Sequence, residues 1–344
     1  NSSYKDLMIV AGILKGKKVH PDISFVVAPG SKQVFQMLAE NGALADIIAS
    51  GARIMESACG FCIGSGQAPI TGGISLRTNN RNFEGRSGTA SGQIYLVSPE
   101  VAALSAIAGK LADPMERPAS EFPAVEMPGE FIIDDTLIIP PSKTGTPVFR
   151  GPNIGQPPYT DPLADEISGV IGLKVGDKIT TDHIMPAGQR LKYRSNIPEY
   201  AKYVFEGVDP EFAGRALDNR KVNVFTAICG GLSYGQGSSR EHAAICPMYL
   251  GVRIVMAKSF ERIHSGNLVN FGILPLVFRT EADYDMIKQG MGFRAKGLIE
   301  AVTKGGPVTV EIEGKSVELD LLATERQRAI LIAGGLLNYT KNSM

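Results

Sequence analysis

Three things that the sequence lacks narrow the class of protein. Its 344 residues carry 35 Lys+Arg and 35 Asp+Glu, so no net charge draws the chain to nucleic acid or a membrane surface. The longest apolar runs, such as the one around 268–278, are interrupted by polar residues, glycine or proline and are too short to span a bilayer. Four cysteines are too few for a secreted disulfide framework. We therefore expect a cytoplasmic protein with no membrane attachment and no nucleic-acid partner.

The composition is that of an ordinary soluble protein, with 44% hydrophobic and 20% charged residues. A chain of this length can bury two cores, or three. It begins at Asn1, inside a helix-start signal in which Ser3 and Asp6 have the spacing of an N-cap residue and its N3 partner. Because a natural protein rarely begins there, we expect a chain truncated at its N-terminus.

Three regions differ in pattern. Residues 1–112 alternate helical and strand patterns, which predicts an α/β layer with a mostly parallel sheet. Residues 113–165 hold 11 of the 21 prolines and are predicted to be an extended linker, since proline removes a backbone donor. Residues 166–344 are predicted to form a second α/β domain. In that domain we predict strands at 222–228, 252–257, 273–278, 308–312 and 316–319, and helices at 199–205, 239–249, 281–289 and 323–333.

Cys59 and Cys62 form a C-x-x-C pair flanked by small residues. This spacing lets two thiolates reach one metal ion or cluster, and it is compatible with zinc, a thioredoxin-like pair or iron–sulfur. The chain has no second C-x-x-C, which disfavours a four-cysteine zinc site. Two packed core cysteines are the alternative. The other two cysteines, Cys229 and Cys246, stand apart in apolar surroundings.

A polar loop at 78–86 carries Arg81 and Arg86 among amide side chains, including Asn80. The planar guanidinium binds carboxylates with two parallel hydrogen bonds, so this loop is a candidate anion site. On residue types alone, a solvated polar loop with surface ion pairs is the simpler interpretation.

Segment 180–188 contains Asp182 and His183, which offer acid and base groups, and Arg194 follows shortly. A turn capped by threonine and aspartate explains the same residues without any chemistry.

Segment 234–243 follows a predicted strand and opens a predicted helix. Ser238 and Glu241 have capping-box spacing, and the glycines allow the backbone to approach a ligand closely. Free N–H groups at a helix start, the hydroxyls of Ser238 and Ser239 and the charge of Arg240 would together bind an anion. A well-capped helix with no ligand is the alternative.

Taken together and in this order, the four segments resemble the aconitase superfamily. The runs that carry the resemblance are ACGFCIG at 58–64, NNRNFEGR at 79–86, TTDHIMPAG at 180–188 with YRSN at 193–196, and YGQGSSREHA at 234–243. Four ordered motifs are far more specific than any one of them. The resemblance implies a fold of class α/β: part of a three-layer aconitase core domain over 1–112, followed by a C-terminal swivel-type α/β domain over 166–344.

The resemblance also implies a [4Fe–4S] cluster held by three cysteines, of which Cys59 and Cys62 match two. The third cysteine of the family lies in a Ser-Cys-Thr-Asn-Ser motif, and the start of this chain, Asn1-Ser2-Ser3, looks like the tail of that motif. The third ligand is then missing from this chain, together with the earlier domains of the family. We therefore expect the isolated chain to be inactive.

Site residues carry over from the family by the same motifs. Ser238 matches the catalytic base, and Asp182 and His183 belong to the same site. The residues that match binders of the substrate are Asn80, Arg81, Arg86, Arg194, Ser239 and Arg240. Two departures concern neighbouring positions, since Met185 and Gln236 stand where relatives of the mitochondrial type have serine and glutamate.

The implied reaction is aconitate hydratase activity, the interconversion of citrate and isocitrate through cis-aconitate, with a small tricarboxylate as substrate. Several arginine forks suit a tricarboxylate, and loss of water needs a Lewis acid and a base. The alternatives within the family are a homoaconitase, an isopropylmalate isomerase or a methylcitrate-type enzyme. Some relatives bind RNA when the cluster is lost, which the zero net charge does not favour. We expect the full-length protein to be a monomer.

Overall fold

The computed structural model describes residues 2–58, 60–80, 82 and 84–344. The chain divides into two compact units, Asn1–Thr146 (unit 1) and Pro147–Met344 (unit 2). The division falls inside the proline-rich stretch 113–165. No helix among the described residues is long and apolar enough to cross a membrane.

The described part of unit 1 contains four α-helices and two small parallel sheets. The helices are α1 (Tyr4–Leu14), α2 (Lys32–Glu40), α3 (Ala43–Ala49) and α4 (Pro99–Ala108), and the strands are β1 (Val26–Val27), β2 (Arg53–Ile54), β3 (Ile74–Arg77) and β4 (Gln93–Leu96). β1 pairs with β2 and β3 pairs with β4, both in parallel. The apolar core lies mainly among the helices.

Local signals in the sequence set the starts of these helices. The predicted capping box of α1 is present, since the Ser3 hydroxyl accepts from the Asp6 N–H and the Asp6 carboxylate accepts from the Ser3 N–H. Ser98 caps α4 with Pro99 in its first turn, as its position before proline predicts. Side-chain caps of this kind satisfy amides that have no partner within the helix.

Unit 2 contains nine helices and seven strands. The helices are α5 (Thr181–Ile184), α6 (Ile197–Tyr200), α7 (Phe212–Lys221), α8 (His242–Tyr249), α9 (Arg262–Asn270), α10 (Glu281–Met286), α11 (Leu298–Lys304), α12 (Glu325–Ile332) and α13 (Leu336–Asn342). The strands are β5 (Glu166–Lys174), β6 (Phe225–Gly230), β7 (Val252–Ala257), β8 (Leu274–Phe278), β9 (Gly292–Lys296), β10 (Val308–Ile312) and β11 (Lys315–Asp320).

The seven strands of unit 2 close into a barrel in the order β10-β11-β8-β7-β6-β5-β9, with β9 paired back to β10. The pairings of β5 with β6, β6 with β7 and β7 with β8 are parallel, and the remaining pairings are antiparallel. Side chains alternate along β6, where Ala227 and Cys229 join one core and Ile228 joins the other. Strand β6 is therefore buried on both faces, as is typical of parallel sheets covered by helices.

The predicted α/β class is confirmed, and most predicted strands of the second domain appear within a few residues of their expected bounds. One predicted helix starts later than expected. The helix predicted at 239–249 is α8, which begins at His242. The expected capping box between Ser238 and Glu241 is wrong, because Glu241 occupies the N-cap position and no side chain caps the helix.

Candidate active site

Unit 1 contains a cavity of about 270 Å³ whose wall includes three of the predicted site residues, Cys62, Asn80 and Arg86. Ser57 and Asn79 contribute further polar groups to the same wall. The fold thus brings the loop that carries Cys62 (the cysteine loop, 61–67) and the polar loop at 78–86 (the arginine loop) to one cavity. Cys59 and Arg81, which were also predicted here, lie outside the described residues.

Cys62 sits in a short 3-10 turn, Phe61–Ile63, that ends at Gly64. Gly64 has φ +87°, and a Cβ at this position would lie 2.5 Å from the carbonyl oxygen of Ser87. Only glycine lets the turn that carries Cys62 pack so closely on the arginine loop. The Cys62 sulfur is buried and disulfide-bonded, so binding of a metal or cluster would require its reduction first.

The described residues that line this cavity are of types that can hold an iron–sulfur cluster. Thiolates are the ligands of such clusters, and Cys62 lines a cavity that also carries hydroxyl, amide and guanidinium groups able to donate hydrogen bonds. Among the described residues, no group of three or more His, Cys, Asp and Glu side chains could hold a metal ion. A cluster in this cavity would therefore depend on Cys62 and on ligands beyond the described residues.

The two remaining cysteines lie in the cores of unit 2. Cys229 and Cys246 are free and buried. Burial raises the pKa of the Cys229 thiol to about 12 and raises the pKa of the Cys246 thiol as well. Both thiols remain protonated at neutral pH and pack as small apolar side chains.

In unit 2 the backbone joins the segments around Asp182 and Ser238. The N–H groups of Gly235 and Gln236 donate to the Ile179 carbonyl at 2.8 and 3.0 Å. The Thr181 N–H in turn donates to the Gln236 carbonyl at 2.8 Å. These bonds align the two segments in parallel, so that two motifs distant in sequence form one surface.

An ion pair completes this junction. Asp182 accepts from Arg240 through both carboxylate oxygens, at 2.6 and 3.2 Å, and Arg240 Nη1 also donates to the Met185 carbonyl at 2.9 Å. The Arg240 side chain is 16% exposed and the Asp182 side chain is 37% exposed, so the bidentate pair is buried on the arginine side and open to solvent on the carboxylate side. Met185 itself is buried in the apolar core, which accounts for an apolar side chain at that position.

His183 takes part in a helix cap. Its backbone N–H donates to the Thr180 hydroxyl, and its Nδ1 accepts from the Thr180 N–H, both at 3.1 Å. An accepting Nδ1 places the proton of the neutral ring on Nε2. His183 is otherwise exposed, so its Nε2 is the atom available for proton transfer.

The turn that carries Ser238 and Ser239 lies between the ion pair and α8. The Ser238 carbonyl accepts from the Thr181 hydroxyl at 3.1 Å. Ser238 is half-buried and Ser239 is exposed. Because α8 begins only at His242, the first residue of the helix lies four residues beyond Ser238.

Arg194 lies beside this turn through its main chain. Its carbonyl accepts from His242 Nε2 at 2.9 Å, at the first residue of α8. The His242 ring contacts Tyr200 with ring centroids 5.2 Å apart, and the Tyr200 hydroxyl donates to the Pro186 carbonyl at 2.9 Å. The bond to His242 holds the main chain of Arg194 at the start of α8, four residues after Ser238, and leaves its side chain exposed.

The turn rests on a buried histidine. Gly235 has φ +85°, and a Cβ there would lie 2.2 Å from the ring of His264, which is 1% exposed. Neither ring nitrogen of His264 has a hydrogen-bond partner among the described residues, and burial lowers its pKa to about 4. His264 is therefore neutral at physiological pH and acts as a flat support under the turn.

Comparison with known proteins identifies the family. The model of the aconitase family (aconitate hydratase) matches residues 1–109, and the model of the aconitase C-terminal domain matches residues 178–281. The chain belongs to the aconitase superfamily. The two matched ranges contain the cavity of unit 1 and the joined segments of unit 2, respectively.

Several curated proteins are similar in sequence to this aconitase-family chain. The "Homoaconitase, mitochondrial" of Candida parapsilosis is 30% identical over 100% of this chain and 51% of its own length. The "Homocitrate dehydratase, mitochondrial" of Saccharomyces cerevisiae is 28% identical over 99% of this chain and 50% of its own. The "Putative aconitate hydratase, mitochondrial" of Aspergillus fumigatus is 29% identical over 98% and 49%. The chain thus spans about half the length of the curated relatives it matches.

A solved structure of 3-isopropylmalate dehydratase from Methanocaldococcus jannaschii is 33% identical, covering 52% of this chain and 95% of that chain with a TM-score of 0.42.

Some residues that shape the candidate site were not found by sequence reasoning. Thr181 and Tyr200 hold it through hydrogen bonds, and His264 supports it from beneath. Thr181 lies inside a recognised motif and could have been singled out. His264 gave no signal, because a histidine inside a helical pattern resembles any packed core residue.

Proposed function

We propose that this chain forms the C-terminal part of an aconitate hydratase, which interconverts citrate and isocitrate through cis-aconitate. Membership of the aconitase superfamily supports this, as does the relative named as a putative aconitate hydratase. When bound, a [4Fe–4S] cluster held in part by Cys59 and Cys62 supplies a Lewis acid for the leaving hydroxyl.

The observation that carries the proposal is the junction in unit 2. The bidentate pair between Asp182 and Arg240, with the hydrogen bond from Thr181 to the Ser238 carbonyl, holds the serine turn in one position. A base that removes a weakly acidic C–H proton must be placed accurately, because small displacements reduce the rate strongly. Ser238 is the half-buried hydroxyl of this turn and is proposed to be that base.

The arginines differ in whether a carboxylate offsets their charge, and we propose different roles for them on that basis. The charge of Arg240 is offset by Asp182, so Arg240 mainly positions the turn. Arg194 is exposed and forms no ion pair among the described residues, so we propose that it binds a substrate carboxylate in unit 2. Arg86 and Asn80, on the cavity wall of unit 1, are proposed to bind substrate groups beside the cluster.

Comparison of Ser238→Ala with Ser239→Ala in the cluster-loaded, full-length enzyme tests this proposal. Loss of the base should lower kcat on the order of 10²-fold or more with a smaller change in KM, since the group acts in the transition state. Ser239→Ala should mainly raise KM, because Ser239 is proposed to bind substrate. If Ser238→Ala keeps nearly full kcat, the assignment of the base is wrong.

A homoaconitase is the second candidate, since two relatives are named homoaconitase and homocitrate dehydratase. Citrate and homocitrate differ by one methylene, which is worth roughly 10–200-fold in kcat/KM. We expect citrate to be preferred on the order of 10-fold. The reverse preference in steady-state assays of the full-length enzyme would assign the chain to the second candidate.

A further inference from the structure

Arg77, the last residue of β3, is buried beneath the cysteine loop of unit 1 and is only 6% exposed. Its guanidinium makes three hydrogen bonds. Nε donates to the Ser75 hydroxyl at 3.1 Å, Nη1 to the Phe61 carbonyl at 2.5 Å and Nη2 to the Gln67 carbonyl at 2.8 Å. All three acceptors are neutral.

A buried cation with only neutral partners is an expensive arrangement. No carboxylate lies within ion-pair distance of Arg77 among the described residues, and burial lowers its pKa. Removing an ion from water is unfavourable unless it is paired or fully hydrogen-bonded. An apolar side chain could fill the same space without that penalty, so the hydrogen bonds of Arg77 need a reason beyond packing.

The two carbonyls that Arg77 holds mark the ends of one loop. Phe61 directly precedes Cys62, and Gln67 follows it by five residues. Arg77 therefore joins both ends of the loop 61–67 to the end of β3. The residues directly after Arg77, Thr78, Asn79 and Asn80, line the same cavity as Cys62.

We propose that Arg77 is a positioning residue for the group that binds at Cys62. Its planar guanidinium fixes the loop 61–67 relative to residues 78–80. The fork matters because two carbonyls in different directions need donors at fixed angles, which a lysine ammonium does not supply. The identity of the bound group as a cluster rests on the proposed function, whereas the clamp on the loop does not.

The first experiment measures the clamp without any cluster. Amide hydrogen exchange is followed in the reduced, cluster-free full-length protein for the wild type, Arg77→Gln and Arg77→Lys. Arg117→Gln is the matched control, since Arg117 lies on the surface of unit 1 and its one ion pair among the described residues is with Glu121. Exchange in the loop 61–67 should be on the order of 10-fold faster or more in Arg77→Gln and intermediate in Arg77→Lys, while exchange in α1 stays unchanged.

The second experiment measures the bound group. After anaerobic reconstitution, Arg77→Gln should hold less iron and lose its visible absorbance in air several-fold faster than Arg117→Gln, with Arg77→Lys between them. Equal exchange in loop 61–67, or equal iron content and decay rate, for Arg77→Gln and Arg117→Gln would overturn the proposal. If Arg77→Gln does not fold, the same comparisons with Arg77→Lys decide.

The two experiments separate this inference from the proposed function. If the loop exchanges faster in Arg77→Gln but the wild-type protein takes up no iron, the clamp exists and the aconitase-type function is refuted. If the wild type takes up iron and the loop exchange is unaffected, the function stands and the role of Arg77 is refuted.

Discussion

The two units hold their predicted site residues by different means. In unit 2 the Ser238 turn is fixed largely by main-chain bonds to the segment at Ile179–Thr181 and by close packing of Gly235 on His264. In unit 1 the loops are held by side chains that donate to carbonyls, as Arg77, Asn82 and Thr89 do. The geometry of unit 2 therefore depends on main-chain pairing as well as on side-chain bonds such as that between Arg240 and Asp182. In unit 1 the loops depend on side-chain bonds and on the close contact at Gly64.

The sheets of the two units also differ in closure and burial. The barrel of unit 2 is closed and covered by helices. In unit 1, β3 and β4 form an isolated parallel pair on which Ile74, Tyr95 and Leu96 are exposed. Two-stranded sheets are marginally stable alone, and parallel sheets are normally buried. We therefore expect unit 2 to be more resistant to unfolding than unit 1.

Among the changes that test this comparison, Gly235→Ala is expected to have the largest effect on the stability of unit 2. The new Cβ would combine a positive φ with a 2.2 Å approach to the His264 ring, and His264 is too buried to move away. Backbone strain and overpacking together should lower the free energy of unfolding of unit 2 by about 3–5 kcal/mol. Chemical denaturation monitored by circular dichroism measures the loss.

Gly188→Ala is the matched control for Gly235→Ala. Gly188 has φ +57° with nothing within 4 Å of the position of a Cβ, so only the backbone strain of about 1–2 kcal/mol remains. Equal destabilisation by the two substitutions would mean that packing on His264 does not hold the turn.

A smaller effect is expected from pH through His264. Its pKa is lowered from 6.5 to about 4 by burial, so the unfolded chain binds a proton that the folded chain does not between these values. Stability from the neutral ring is thus full above pH 6.5 and is lost as pH falls to about 4. The loss should reach about 3 kcal/mol for unit 2.

His264→Leu, which cannot titrate, should flatten this pH dependence, measured by denaturation at several pH values between 4 and 7. His20→Gln, at a partly exposed histidine of unit 1, serves as the control and should leave the profile of unit 2 as it is. An unchanged slope in His264→Leu would assign the acid sensitivity to other groups.

The smallest effect is expected from cutting between the units. Asp134 is held by Lys32 and Gly155 by Ser195, but residues 135–149 between them are exposed. Trypsin should therefore cleave first after Lys143 or Arg150, without changing the thermal midpoint of unit 2. The double variant Lys143→Gln, Arg150→Gln should resist. A first cut within 166–344 would contradict the expected linker.

Periodicity and capping signals in the sequence were enough to predict much of the fold. The strand at 252–257 and the cap at Ser3 follow from local preferences, which the structure preserves. Strands β5 and β9 were missed because β5 contains two glycines and β9 carries two charged residues, so neither shows a clear apolar pattern. Closure of the barrel depends on those two strands and on long-range pairing, which local patterns do not encode.

The candidate site was predictable in its membership but not in its contacts. The four motifs singled out Asp182 and Arg240 separately, and only the fold pairs them. The capping box expected at Ser238 failed because tertiary bonds to Ile179 and Thr181 draw the turn out of the helix. Arg77 was not singled out because its partners are carbonyl groups, which every residue has.

The pairing of β5 with β9 has a consequence for how the protein is made. Glu166 on β5 bonds to Arg294 on β9, 128 residues later in the chain. During synthesis from the N-terminus, the parallel strands β5 to β8 leave the ribosome before β9 and β11 exist, so both edges of their sheet remain unpaired until those strands are made. Pairings this distant in sequence form slowly. Chaperone dependence during translation is therefore expected to centre on unit 2, the part that is the more resistant once it has closed.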